Sequence, residues 1–478
     1  MKKENLENAM NYISDDKLAE ALETKKKPHT FRWVGAIAAV LAVALTVTSL
    51  VWPTSTPTLL PVTVVQAEGL VASPVYPKME KYPTEFTDED DLAAYSAWMD
   101  SQRTQYNQPL DYGDSLLDFY QKSIPVFLDD EQENILYSPV NVYMALAMLA
   151  ETAEGNTRQQ ILDLMAQQNI GDLREQAGHM WNAHYCDDGL TTSVLGNSLW
   201  LDNTLNYKEE TADLLAKAYY ASVFRGDLGS DKMNTALQDW LNEQTGGLLK
   251  EQVAGQTLDP QTLLALASTV YYRAQWKNEF WDQMNTENVF HTPTGDKTVT
   301  FMNTVMTYGP YYYGEDYGAV YLDLEDGSRM WLILPDEGHT PASILKSGHA
   351  LKDLLVPGMP TNSTTVMVNL SLPKFDVTSK KDIVDSLKQL GITDAFNVQT
   401  ANFSAISDAP LFVSSADHAV RVKIDEKGME AAAYTVMVEC GAAMPPTEEV
   451  DFVLDRPFLF MVESATGMPM FTGIVNNP

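Results

Sequence analysis

Fourteen residues near the C-terminal end, Asp425 to Val438 (DEKGMEAAAYTVMV), constrain the fold of this chain more than any other stretch. A glycine follows an acidic turn, then come small residues, then apolar, β-prone ones. Laid out as a strand, the run alternates. Met429, Ala431, Ala433, Thr435 and Met437 share one face, while Glu430, Ala432, Tyr434 and Val436 share the other. The first face carries no charge and suits burial. The second carries a carboxylate and a phenol and tolerates water. Three consecutive alanines are nevertheless poor strand formers, and Cys440-Gly441-Ala442-Ala443 and Pro445-Pro446 beyond them have the composition of an exposed loop. Two readings fit: an edge strand with a long connection, or a segment that lives as a loop and also fits a sheet.

The flanking sequence separates them. KIDEKGMEAAA (Lys423–Ala433) and DRPFLFMVESATGMPMFTGIVNNP (Asp455–Pro478) resemble the serpin family. So do four more stretches in that family's order: SPVNVYMALAMLAETAEGNT (Ser138–Thr157), NSLWL (Asn197–Leu201), AQWKNEF (Ala274–Phe280) and NLSLPKFDV (Asn369–Val377). The resemblance runs roughly from Leu110 to Pro478, about three quarters of the chain. It implies an α+β serpin fold, with helices around a large mixed β-sheet plus two smaller sheets and an exposed reactive-centre loop. It also implies a membrane-anchored, bacterial-type inhibitor of serine proteases that works as a suicide substrate. The protease attacks the loop and forms an acyl-enzyme, and the freed segment inserts as a new central strand of the sheet, distorting the protease before water releases it.

Carried over residue by residue, the loop hinge is Glu426 to Ala433. Gly428 permits the turn, and Met429, Glu430, Ala431, Ala432 and Ala433 slide between strands. Counting seventeen residues from Glu426 places the scissile bond at Ala442–Ala443. The alternation agrees with burial, because every inward position from Met429 to Met437 is uncharged. Met429 departs from the Thr or Ser usual there, and its apolar, flexible side chain slows insertion without forbidding it. Alanine as bait fits a small, elastase-type primary pocket. Trp276 matches the family's tryptophan where the loop enters the sheet. Ser138 and His418 match a polar cluster where the strands part, and Asn141 and Ser268 look like a reciprocal exchange within it that keeps its hydrogen bonds satisfied.

Charge and cysteine content set limits. The formal charge of −33 disfavours nucleic acid or anionic lipid as partner, since phosphates are repelled. The two cysteines, Cys186 and Cys440, do not suggest a structural disulfide, and no metal-ligand spacing such as C-x-x-C occurs. No G-x-S-x-G, H-E-x-x-H, P-loop or G-x-G-x-x-G motif is present, and His179 and His184 fall on different faces of a helix. The expectation is therefore a monomer that is not an enzyme, with no metal, no cofactor and serine proteases as its partners. The alternative is a serpin-fold carrier or binding protein that does not inhibit, with Met429 in its favour.

The N-terminal part suggests a location. From Trp33 to Trp52, twenty residues run without a charge, enough to cross a bilayer core of ~30 Å as a helix. Lys25, Lys26, Lys27 and Arg32 precede the run, which places residues 1–32 in the cytoplasm. A cleaved signal peptide competes, but the polar lead is long and the small-residue site Val65-Gln66-Ala67 lies well past the apolar core. Residues 33–52 thus read as a signal anchor in the cell membrane. Residues 53–109 read as a Pro-rich extracellular stalk containing a short helix near Asp88–Gln105, and residues 110–478 as the serpin domain, held outside the cell.

Overall fold

Strand TSVLGNSLWLD (Thr192–Asp202) is buried along its whole length, so it is covered on both faces. It belongs to one of two sheets, which has eight strands among the described residues against nine in the other. A computed structural model describes residues 69–83, 89–109, 112–355, 362–429, 446 and 448–478. Numbered along the chain, the first strands are β1 (Leu70–Ala72), β2 (Ile135–Tyr137), β3 (Cys186–Asp187), β4 (Thr192–Asp202), β5 (Ala221–Gly226) and β6 (Leu264–Gln275). Next come β7 (Thr286–Thr292), β8 (Gly295–Tyr313), β9 (Tyr317–Asp323), β10 (Arg329–Pro335), β11 (Ser363–Pro373) and β12 (Phe375–Asp382). The last are β13 (Asp417–Asp425), β14 (Gly428–Met429), β15 (Glu449–Val453), β16 (Phe458–Glu463) and β17 (Pro469–Val475).

Among the described residues one sheet has the order β1-β5-β4-β6-β14-β13-β12, with β3 on β4. The other runs β15-β11-β8-β9-β10-β16-β17-β2, with β7 on β8. The two smaller sheets implied by the resemblance meet in the 19-residue β8, which hydrogen-bonds β7, β11 and β9 and so joins them into one ladder.

Among the described residues five helices precede β3: α1 (Glu89–Tyr106), α2 (Asp114–Phe127), α3 (Pro139–Thr152), α4 (Gly155–Leu164) and α5 (Ile170–His184). The sequence dictates how α3 begins. Ser138 is extended (φ −108°, ψ 101°), its hydroxyl accepts from the N–H of Asn141, and Pro139 fills the first helical position where no N–H is needed. Every residue of α3 but Ala145 is buried, the mark of an interior helix, and it lies against β6 and β17.

The segment expected as stalk differs from that expectation from Gly69 onward. β1 pairs antiparallel with β5, matching Leu70 to Phe224 and Ala72 to Val223. Tyr76 then stacks on Trp181, Tyr185 and Tyr220, with ring centroids 5.7, 5.6 and 6.0 Å away. Helix α1 is pinned through buried Asp188, whose Oδ2 accepts from Trp98 Nε1 at 2.8 Å and from Gln102 Nε2 at 2.9 Å. Prolines keep this strap extended, as the composition implied, but its aromatic side chains find an apolar surface to cover. The short helix expected near Asp88–Gln105 forms as α1, with Leu92 exposed. Cys186 is buried, with Gln102 Nε2 3.9 Å from its sulfur.

Candidate functional site

The site is the place where two residues bridge β6 and β13 in the sheet that contains β4. β13 ends at Asp425, and a two-residue turn of Glu426 and Lys427 reverses the chain, with Asp425 Oδ1 accepting from the Lys427 N–H at 2.9 Å. β14 then runs antiparallel to both neighbours. Gly428 pairs with Asp425 on one side and Gln275 on the other, and Met429 pairs with Ile424 and Ala274. β6 and β13 therefore point the same way, and among the described residues no other rung connects them. Beneath Met429 lies a small cavity of about 10 Å³ lined by Val270 and Tyr272 of β6, by Arg421, Val422 and Lys423 of β13, and by Phe471.

Glycine is required at 428. Its φ is +152°, and a Cβ there would stand 2.3 Å from the Ala274 carbonyl oxygen, inside contact distance. Met429 is 3% exposed and packs with Ala274, Val422 and Ile424 in the core shared by the two sheets. The inward face predicted from the alternation thus begins with a buried side chain. Glu430, Ala431, Ala432, Ala433, Ala442 and Ala443 lie outside the described residues, as do the transmembrane expectation for residues 33–52 and Cys440.

Around the turn, three contacts fix the entrance. Trp276 is 2% exposed; its indole Nε1 donates to the Asp425 carbonyl at 2.8 Å and its N–H to the Lys427 carbonyl at 2.9 Å. Phe280 donates its N–H to the Glu426 carbonyl at 2.9 Å and packs edge-on to Trp276. Glu426 is 8% exposed, and its carboxylate takes short bonds from Lys374 Nζ and Asn285 Nδ2. Burial alone would raise its pKa. The Lys374 and Asn285 bonds outweigh that and hold the carboxyl below its ordinary range.

Farther along β6 and β13, the predicted polar cluster assembles. The Ser138 N–H donates to His418 Nε2 at 3.1 Å, and the Ser138 hydroxyl donates to the Met470 carbonyl at 2.8 Å. Because His418 Nε2 accepts, the ring is neutral with its proton on Nδ1. Burial lowers its pKa to about 4. Asn141 Nδ2 donates to the Ser268 carbonyl at 3.0 Å, and Ser268 Oγ donates to Asn197 Oδ1 at 2.9 Å. Asn197 in turn donates to the Tyr219 carbonyl at 2.8 Å. Asn141 and Ser268 do meet, through a backbone carbonyl rather than side chain to side chain.

Sequence reasoning passed over Lys374, Asn285 and Asn197 as site residues. Lys374 and Asn197 lie inside the quoted motifs NLSLPKFDV and NSLWL, so the signal was there, but their partners are far away in the chain. For metal, Glu315, Asp316 and His349 place three donor atoms within 4.8 Å of one another, remote in the fold from β14. His349 Nδ1 stands 3.0 Å from Glu315 Oε2. His179 and His184 do not converge: Nδ1 of one faces Gln108 Oε1 and Nδ1 of the other faces the Met180 carbonyl.

Comparison with known proteins agrees with this geometry. The family model described as "Serpin (serine protease inhibitor)" matches residues 117–478. Mouse (Mus musculus) neuroserpin is 29% identical over 363 residues, covering 73% of this chain and 87% of its own. The native-state crystal structure of the thermophilic serpin tengpin superposes with a TM-score of 0.68 at 24% identity, covering 84% of this chain and 98% of its own. Thyroxine-binding globulin in complex with thyroxine superposes at 0.63 and 23% identity, over 76% of this chain and 98% of its own.

Proposed function

Because this chain belongs to the serpin family, we propose that it is a membrane-tethered inhibitor of elastase-like serine proteases that acts by loop cleavage and strand insertion. One observation carries the reading. Gly428 and Met429 already occupy the first two rungs of a strand position between β6 and β13, antiparallel to both, and the uncharged alternating run follows them in sequence. Serpins supply the known instance of a protein adding its own loop to its sheet, where new main-chain hydrogen bonds drive the insertion. Cleavage at Ala442–Ala443 is the step that frees this segment. The new amino terminus of the cleaved loop then reads Ala443-Met444-Pro445.

The test uses purified full-length chain and serine proteases of elastase, chymotrypsin, trypsin and subtilisin specificity. An inhibitor forms a covalent complex with the elastase-type enzyme that survives SDS and boiling, and mass spectrometry of the released fragment reads the cleavage point. Cleavage with full enzyme turnover and no complex would overturn the proposal.

A second reading, a carrier that binds without inhibiting, is favoured by the buried Met429 where the family has Thr or Ser and by the fold shared with thyroxine-binding globulin. Met429→Thr decides between them. In an inhibitor it leaves or speeds complex formation, whereas in a carrier no complex forms with either residue.

The tether rests on the charge-free run Trp33–Trp52 with basic residues before it. Among the described residues no helix is long and apolar enough to cross a membrane, and residues 33–52 are not among them. In this layout residues 1–32 are cytoplasmic, the chain after residue 52 leads to the body, and the strap from Gly69 together with residues 110–478 forms the extracellular trap. Membranes washed with alkaline carbonate keep the chain if the anchor spans them, and lose it if the run has been cleaved away.

A further inference from the structure

The two ends of the loop leave a distinctive surface between them. At its start, Phe280 donates to Glu426, and the next residue, Trp281, is 73% exposed. Met284, one tight turn on, is 50% exposed, and its N–H bonds the Trp281 carbonyl. Asn303 of β8 ties this turn to the second sheet, donating to the Met284 carbonyl at 2.7 Å and accepting from Ser371 of β11 at 2.8 Å. Two residues along β8 is Val305, 53% exposed and paired in register with Asn369. Asn369 then uses its one amide group to hold both Glu449 at 2.7 Å and Asp451 at 2.8 Å, on the strand that receives the loop's other end.

This is a continuous row from one root of the loop to the other, apolar on one side and acidic on the other. An exposed tryptophan beside exposed Met and Val forms an apolar patch of the kind that marks a docking site. Two carboxylates held by a single amide are fixed in place instead of roaming in solvent. Asp282, Glu287 and Glu448 are exposed around them, and Lys374 is engaged by Glu426. The two exposed lysines Lys277 and Lys427 belong to the turn around Trp276, outside the row. With a formal charge of −33 behind it, the whole face attracts a cationic surface.

The geometry points to a docking surface, made by Trp281, Met284, Val305 and the Asn369-held carboxylates of Glu449 and Asp451, for the body of the attacking protease. The partner it fits is a serine protease with Lys or Arg residues around an apolar contact beside its active-site cleft. The inference rests on the inhibitor reading for the partner's identity: a protease that has seized the loop sits over the row that joins the loop's ends. It adds a selection step in which the loop offers bait to any enzyme with a small pocket and this face chooses among them by charge.

The test uses full-length chain in detergent and an elastase-type protease of strongly basic isoelectric point, in active form and with its nucleophilic serine changed to alanine. For the inactive form, Trp281→Ala weakens binding about tenfold, as loss of a central aromatic anchor does. Glu449→Gln with Asp451→Asn slows association several-fold at low salt and flattens its dependence on NaCl. Trp281→Phe, which keeps an aromatic ring, recovers most of the binding and guards against a folding artefact. Equal affinity in all variants at low salt, or tighter binding once the carboxylates are neutralised, overturns the docking surface. With active protease, SDS-stable complex forming at the same rate in every variant sinks the docking surface and leaves the trap standing. Trp281-dependent binding without any covalent complex does the reverse.

Discussion

The backbone N–H of Ser138 and the Nε2 of His418 meet at 3.1 Å, and that bond ties the start of α3 to the head of β13. It requires an unprotonated imidazole. In the unfolded chain a histidine takes up its proton near pH 6.5, whereas here burial delays this until about pH 4. The sign follows: the contribution to stability is complete above pH 6.5 and is lost as pH falls toward 4. His184, also held near 4 by burial, acts in the same window and the same direction. Each imidazole is worth about 3 kcal/mol over that span. We expect the melting temperature to drop steeply from pH 6.5 to 4, and His418→Gln to remove roughly half of that slope. A slope indifferent to the substitution would show that His418 is not buried neutral.

Asn141 reaches across from α3 to the backbone of β6. Asn141→Ser shortens the side chain and leaves the Ser268 carbonyl without this donor, at a cost of about 1 kcal/mol. Ser268→Asn alone should not restore it, because the lost bond runs to a backbone atom. A rise in the midpoint of urea unfolding for Asn141→Ser would end the idea of a compensated exchange.

Gly428→Ala puts a methyl group against the Ala274 carbonyl in a backbone conformation that alanine resists. We expect a loss of about 2 kcal/mol or more, together with faster hydrogen exchange at the Met429 and Gln275 amides. If exchange there is unchanged, β14 is not what couples β6 to β13.

Tyr76 holds the strap through ring contacts with Trp181 of α5, with Tyr185 just past that helix and with Tyr220 just before β5. Tyr76→Ala should cost about 1–3 kcal/mol and open residues 69–83 to limited proteolysis, with Tyr76→Phe close to neutral. Equal cleavage of both variants would mean that β1, not the rings, fastens the strap.

Local pattern was readable where chemistry and geometry sit in neighbouring residues. The glycine turn before Met429 depends on only a few consecutive side chains, and of the alternating run Met429 is the member that is described, buried as expected. Trp276 and Ser138 were found because they lie in recognisable motifs, and His418 because it matches the family's polar cluster. Contacts that join distant parts of the chain were not readable. Glu426 gives no hint that Lys374 pairs with it and Asn285 donates to it, since nothing in an isolated turn announces a partner 52 residues earlier. The strap failed for a related reason. Leu70–Ala72 is three residues among prolines, too short to show a period, and becomes a strand only because β5 offers an unpaired edge.

That borrowed edge has a further consequence. A sheet that can admit a strand in its middle is exposed to admitting a foreign one at its rims, which is how chains begin to aggregate. Here the rim beyond β5 is closed by a stub too brief to template another molecule, and the opposite rim, β12, carries Lys380 and Lys381 on its exposed length. Self-association in concentrated solution is thereby discouraged at both borders, and on the proposed insertion reading the middle of the sheet is left as the place where a strand is added.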